Sequence, residues 1–290
     1  MEKEKIRQKR KQAGRKLAQE VNREMESHKI SFLVFSVLRL LVIVVLVRQI
    51  MVQSYHSAFL CILTLLLLYV PNWLQIKLQI ELPQPMEITV LCFIFAAEIL
   101  GEVNAFYVRI PGWDTILHTL NGFLAAAVGF SLVILLNKNK NIAFSLSPLF
   151  LTLVAFCFSM TVGVVWEFLE FGADQILHTD ALKDTIIHGI YSVSLDPTLS
   201  NRIVSVERIR DVTVNGKSLG LGGYLDIGLI DTMKDLLVNF IGAAVFSAIG
   251  YFCISGNRVL KIVMDGFVPR IRLPKREKSE RKIPRSPLPK

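Results

Sequence analysis

Cysteine is scarce in this chain, and none of the four cysteines, Cys61, Cys92, Cys157 and Cys253, belongs to a Cys-x-x-Cys pair. Each falls inside an apolar run. They read as small buried hydrophobes, not as a disulfide framework or a thiolate zinc site. No Walker phosphate loop, serine-hydrolase elbow or His-Glu-x-x-His zinc motif is read, and no internal repeat. A cleavable signal is not expected either: the first 30 residues are highly charged, and the apolar run after them is long and has no small-residue cleavage site.

Basic residues are scarce in the middle of the chain. Of 33 Lys and Arg, ten lie in residues 1–30 and eleven in 255–290, which leaves twelve between. What the middle has instead is apolar length. The chain of 290 residues is 52% hydrophobic with mean hydropathy +0.47, too apolar for a soluble domain of this size. A bilayer core takes about 20 apolar residues per helix. The runs predict an all-α polytopic membrane protein of about six spans, near 31–47, 58–73, 87–106, 115–136, 148–171 and 231–254. The expected organisation is a basic arm (1–30), a six-helix membrane domain (31–254) and a basic tail (255–290). Residues 172–230 form a long extracytoplasmic segment in which Asn215-Gly216 between short strand-like runs predicts a tight hairpin.

Orientation follows from the basic residues. Basic ends beside spans stay in the cytoplasm, so both termini are placed inside and the protein in the cell membrane, multi-pass. The expected partners are membrane lipids, with anionic headgroups at the two basic ends; no nucleic acid is expected.

With that orientation, four span ends meet on the outer side, and each carries a polar stripe. The stripes are Glu98 and Glu102; Asp114, His118 and Asn121; Glu167, Glu170 and Asp174; and Asp231, Asp235 and Asn239. Spacings of three and four put each set on one helix face. Ionisable groups within a span cost about 2.5–3.5 kcal/mol each at the bilayer centre, so they turn toward one another or toward a wet cavity. Asp114 and Asp231 also read as helix caps, and His118 alone as a hydrogen-bonded core histidine. Taken together, the stripes predict an acidic pocket roofed by 172–230. His118 is the candidate acid–base or nucleophilic residue, with Asp114, Glu167 and Asp235 as its catalytic partners. Glu167, Glu170 and Asp235, with His118, are candidate ligands for a divalent metal such as Mg²⁺, Mn²⁺ or Zn²⁺. Glu98, Asn121, Asp231 and Asn239 complete the pocket.

Trp113-Asp114-Thr115-Ile116-Leu117-His118 resembles the Asp-x-x-x-His signature of VanZ-like membrane proteins. Glu167 to Glu170 and Asp231-Thr232-Met233-Lys234-Asp235 resemble an uncharacterised family of bacterial polytopic membrane proteins with the same pattern. The resemblance covers about residues 85–250. It implies a bacterial membrane protein and, through the VanZ-like motif carried by Asp114 and His118, action on lipid or cell-envelope precursors. Three functions stay open. One is an enzyme acting on a phospholipid or lipid-linked envelope precursor at the outer leaflet. The others are an ion-coupled transporter, whose relays also use intramembrane acids and histidine, and a structural or partner-binding membrane protein.

Overall fold

The structure, a computed structural model, describes residues 29–78, 80–137, 146–257 and 259–271. Of the basic ends assigned to anionic lipid (1–30 and 255–290), residues 1–28, 258 and 272–290 lie outside the described residues, as do Lys138 and Lys140 of the loop at 138–145.

Apolar length dictates the architecture. Helix α1 (Lys29–Met51) turns at Gln53, whose φ is positive, into α2 (Tyr55–Leu67), and α3 (Val70–Leu78) prolongs the same apolar stretch. A short strand, β1 (Ile80–Glu81), leads to α4 (Gln84–Phe95), with Pro in its first turn where no N–H partner is lost. Helix α4 runs directly into a π-helical stretch, Ala96–Val103. After α5 (Phe106–Arg109) come the long helices α6 (Trp113–Asn137) and α7 (Pro148–Leu177). Ser147 caps α7, its hydroxyl accepting from the Phe150 N–H at 3.2 Å, and His178 ends it in the left-handed conformation.

Between α7 and the next long helix the chain leaves helical structure. It forms β2 (Ile186–Ile187), β3 (Gly189–Ser192), β4 (Val204–Glu207), β5 (Thr213–Val214), β6 (Lys217–Ser218) and β7 (Tyr224–Leu225). These pair antiparallel as β2 with β7, β3 with β4 and β5 with β6. Asn215 and Gly216 both take positive φ and join β5 to β6, as a type I′ turn requires. Residues 216–220 spell Gly-Lys-Ser-Leu-Gly, but Ser218 sits in this exposed hairpin and not on a strand-to-helix turn, so it makes no nucleophile elbow. Helices α8 (Leu229–Ile254) and α9 (Leu260–Phe267) follow. Strand β8 (Arg270–Ile271) then returns to pair with β1.

Among the described residues, five helical segments are long and apolar enough to cross a membrane: α1, α2 with α3, α6, α7 and α8. The sixth expected span, 87–106, is the composite of α4 and the π-helical stretch, together about 20 residues and so near the length a bilayer core needs. Large side chains on α1 such as Phe32, Leu33 and Leu40 face outward, as lipid-facing residues do.

Helices α6, α7 and α8 pack on one another and form the centre. Glycines permit the close approach. A Cβ at Gly122 would run into the Asn239 backbone, and one at Gly242 into the Thr119 carbonyl. Small residues at helix contacts are how membrane helices gain dispersion and hydrogen bonding where the hydrophobic effect is weak. Further along the same helices, Ala126, Ala127, Phe130, Ala155 and Phe246 make a dry core. A second cluster, from Leu38, Val42, Cys61, Leu68, Leu91 and Ile99, joins α1, α2 and the composite helix.

Candidate functional site

Four polar stripes converge at the end of the bundle nearest the strand-bearing segment. The composite helix supplies Glu98 and Glu102 from its π-helical stretch, a form that recurs at functional sites. The first turns of α6 carry Asp114 and His118, the last turns of α7 carry Glu167 and Glu170, and the first turns of α8 carry Asp231 and Asp235. All of these but Glu167 line a cavity of about 280 Å³.

His118 is the hub. Its Nε2 lies 3.4 Å from Asp114 Oδ1 and 3.8 Å from Asp235 Oδ2, and its Nδ1 lies 3.9 Å from Glu167 Oε1. Glu167 and Asp235 are buried, at 5% and 4% exposure. Glu167 stands behind the imidazole; Asp114, His118 and Asp235 line the cavity. Glu167 Oε2 is buried without a hydrogen-bond partner, and so is the Trp113 indole N–H, which packs edge-on to Phe106. A buried orphan polar atom costs about 1–3 kcal/mol, so its retention needs a reason.

Of the candidate metal ligands, the structure splits Glu167, Glu170 and Asp235 between two groups that share His118. One is Asp114, His118 and Asp235; the other is His118, Glu167 and Glu170. Ligand atoms within each group lie within 4.8 Å of one another. The helix spacing of Glu167 and Glu170 was visible in the sequence, but the side of the imidazole each carboxylate takes was not.

The remaining sequence candidates separate by role. Glu98, Glu102, Asn121 and Asp231 line the cavity. Asn239 does not; it is 1% exposed in the bundle. It accepts from Asn121 Nδ2 at 3.4 Å and donates to the Ser159 carbonyl at 3.4 Å, while Ser159 Oγ donates to the Gly122 carbonyl at 2.7 Å. This polar layer joins α6, α7 and α8 under the cavity. Asp114 lies inside the first turn of α6 beside His118, not at the cap. Asp231 accepts from the Lys183 N–H at 2.7 Å, and the capping of α8 falls to Asp226, which accepts from the Ile230 N–H at 2.7 Å. Asp174 accepts from the Thr179 hydroxyl and from the Ala181 and Leu182 N–H groups, so it folds the chain after α7 back over the cavity mouth.

That return brings in residues that the span pattern could not reveal. Ala181 and Lys183 close the rim, and Tyr107 and Trp166 add aromatic wall. Lys183 Nζ bonds the Asp180 carbonyl. Arg109 and Lys234, the nearest cations by sequence, are not on the wall. Leu67, Phe93, Ile94 and Leu117 add apolar lining. The arrangement can take a proton, hold a cation, and seat a molecule with one polar and one apolar part.

The family described as predicted membrane protein (DUF2238) matches this chain over residues 33–256. A protein of Thermotoga maritima, described as an uncharacterized protein, is 29% identical over 117 residues, which are 39% of this chain and 58% of that protein. The chain thus spans less than two thirds of that relative's length. No solved structure matches. Because the matched stretch takes in well over half the chain and every helix of the cavity, the chain belongs to the DUF2238 family of predicted membrane proteins.

Proposed function

We propose that this protein is a bacterial membrane enzyme acting on a phospholipid or lipid-linked envelope precursor at the outer leaflet, with both termini in the cytoplasm. The observation that carries the reading is the meeting of His118 with Asp114, Glu167 and Asp235 at a cavity lined by both carboxylates and apolar side chains. At about 280 Å³ the cavity suits a headgroup, just under the usual lower bound of about 300 Å³ for ligand pockets. The apolar wall suits the first carbons of an acyl or prenyl chain, and Lys183 at the rim suits a headgroup phosphate. His118 is the proton acceptor or nucleophile. Asp114 and Asp235 orient it from one side and Glu167 from the other. The Asp-x-x-x-His resemblance to VanZ-like proteins points the same way. The basic ends, held against anionic headgroups of the inner leaflet, anchor the chain on the other side.

The polar layer of Asn121, Asn239 and Ser159 and the glycine contacts beneath it weigh against a carrier, which needs a site reached from both faces. The test is a mass-spectrometric comparison of membrane lipids and lipid-linked precursors. It uses cells lacking the protein and cells carrying wild type or His118→Ala at matched abundance. The expected result is one species that accumulates equally in the null and His118→Ala cells, since loss of a general base lowers rate about 10²–10⁴-fold. A wild-type profile in His118→Ala cells would end this reading.

A further inference from the structure

The cavity wall carries six carboxylates, Glu98, Glu102, Asp114, Glu170, Asp231 and Asp235, against one lysine, Lys183. Such a concentration of acids, in a region of low dielectric, calls for a cation. The two shorter contacts of His118 have a telling length. Charge-assisted N–H···O bonds run about 2.7–2.9 Å, yet Asp114 and Asp235 stand 3.4 and 3.8 Å from Nε2. Three donors bound tetrahedrally to one zinc-sized ion at about 2.0–2.1 Å would lie about 3.4 Å apart. All three of these residues line the cavity, so a fourth position would face it.

Glu167 supplies a second and separate sign. Its carboxylate is 5% exposed, its Oε2 has no hydrogen-bond partner, and its Oε1 faces Nδ1 of the same ring. An imidazole that ligates a metal through Nε2 carries its proton on Nδ1 and gives it to a carboxylate behind. That tautomer would turn its N–H toward Glu167 Oε1.

We infer that Asp114, His118 Nε2 and Asp235 bind one divalent transition-metal ion, Zn²⁺ by preference, with Glu167 positioning the imidazole from behind and the fourth place open to the cavity. Two carboxylates and one imidazole suit zinc better than magnesium, which keeps oxygen ligands and its own waters. With Nε2 committed to the ion, His118 becomes a ligand, and the metal-bound water takes its place as the group that loses a proton. The inference rests on the pocket proposed above, but it is read from bound metal without turnover, so either reading can fail alone.

The test uses the full chain in lipid nanodiscs, stripped with a chelator and dialysed against Zn²⁺. Elemental analysis then gives ions per chain, and competition with a chromophoric chelator gives affinity. We expect about one Zn²⁺ per chain. His118→Ala and Asp235→Asn should weaken binding at least about 100-fold and Glu167→Gln about 10–100-fold, while Glu207→Gln on the exposed face of β4 leaves it unchanged. X-ray absorption of the zinc-loaded wild type should show one imidazole nitrogen among its ligands, which keeps the test valid where a variant fails to fold. No stoichiometric zinc, an all-oxygen ligand shell, or full binding by a folded His118→Ala protein would overturn the inference. So would a site lost in Glu170→Gln but kept in Asp114→Asn, which would put the ion on the other face of the ring.

Discussion

The same three helices, α6, α7 and α8, build two unlike ends. Toward the strand-bearing segment they gather His118, Asp114, Glu167, Glu170 and Asp235 around open space. Toward the other end they bury Ala126, Ala127, Phe130 and Phe246 against one another. Phe123 and Phe130 meet Phe246 edge to face, at 5.0 and 6.0 Å between ring centres. The packed end holds the helices together. The open end retains Glu167 Oε2 and the Trp113 indole N–H buried without partners, against the Ser247 hydroxyl at the packed end, and gathers ionisable groups as a site does where stability is given up for chemistry. The polar layer around Asn239 is the boundary between them.

Substitutions can test this contrast, and the largest effects belong to the packed end. Phe246→Ala should destabilise by about 3 kcal/mol, because the close-packed neighbours cannot collapse into the space. Thermal unfolding in nanodiscs would show it. Gly242→Leu should cost about 1–3 kcal/mol, since the new side chain meets the Thr119 backbone, which cannot move aside. The same measurement should show a lowered midpoint and less protein in the membrane.

The boundary should give a smaller response. Asn239→Ala removes weak bridges to Asn121 and Ser159. Hydrogen bonds between membrane helices average about 0.6 kcal/mol, so the loss should be about 1 kcal/mol in an unfolding titration. A loss as large as that of Phe246→Ala would move the boundary into the packed core.

The smallest effects belong to the roofing segment. Asp174→Asn should ease local opening of residues 179–183 by about 1 kcal/mol, seen as faster amide exchange there and not in the helices. In the segment between α7 and α8, the Thr198 and Ser200 hydroxyls hold the Asp196 carboxyl below its usual range. A lowered native value means the contribution is complete above the unfolded carboxylate's titration, near about 3.9, and is lost only as pH falls through the native value. Exchange at 197–202 should therefore stay slow at pH 4, and Asp196→Asn should quicken it at neutral pH.

What the sequence made legible follows the same division. Long apolar runs marked the membrane helices, because lipid leaves the backbone little choice but to satisfy itself. The stripes of Asp114 and His118, Glu167 and Glu170, and Asp231 and Asp235 were readable because helix periodicity fixes a face. The Asn215-Gly216 turn was readable because few other pairs accept positive φ twice. The other half of the cavity wall was not. Lys183 and Ala181 reach it through a non-repeating fold-back held by Asp174 and Asp231, and Tyr107 and Trp166 look like ordinary membrane aromatics. Spacing also placed Asn239 in the pocket, whereas it bonds between helices below it. A face on one helix does not reveal the depth at which its neighbours arrive.

The central claim is that the open end is built for chemistry and not for holding the helices together. It is tested most directly by the unfolding midpoint of His118→Ala in nanodiscs, measured beside wild type and Phe246→Ala. The account predicts a midpoint within about 4 °C of wild type, the shift of roughly 1 kcal/mol in a chain of this size, or above it. A fall as large as that of Phe246→Ala would mean that His118 and its carboxylates are structural, and would contradict the account.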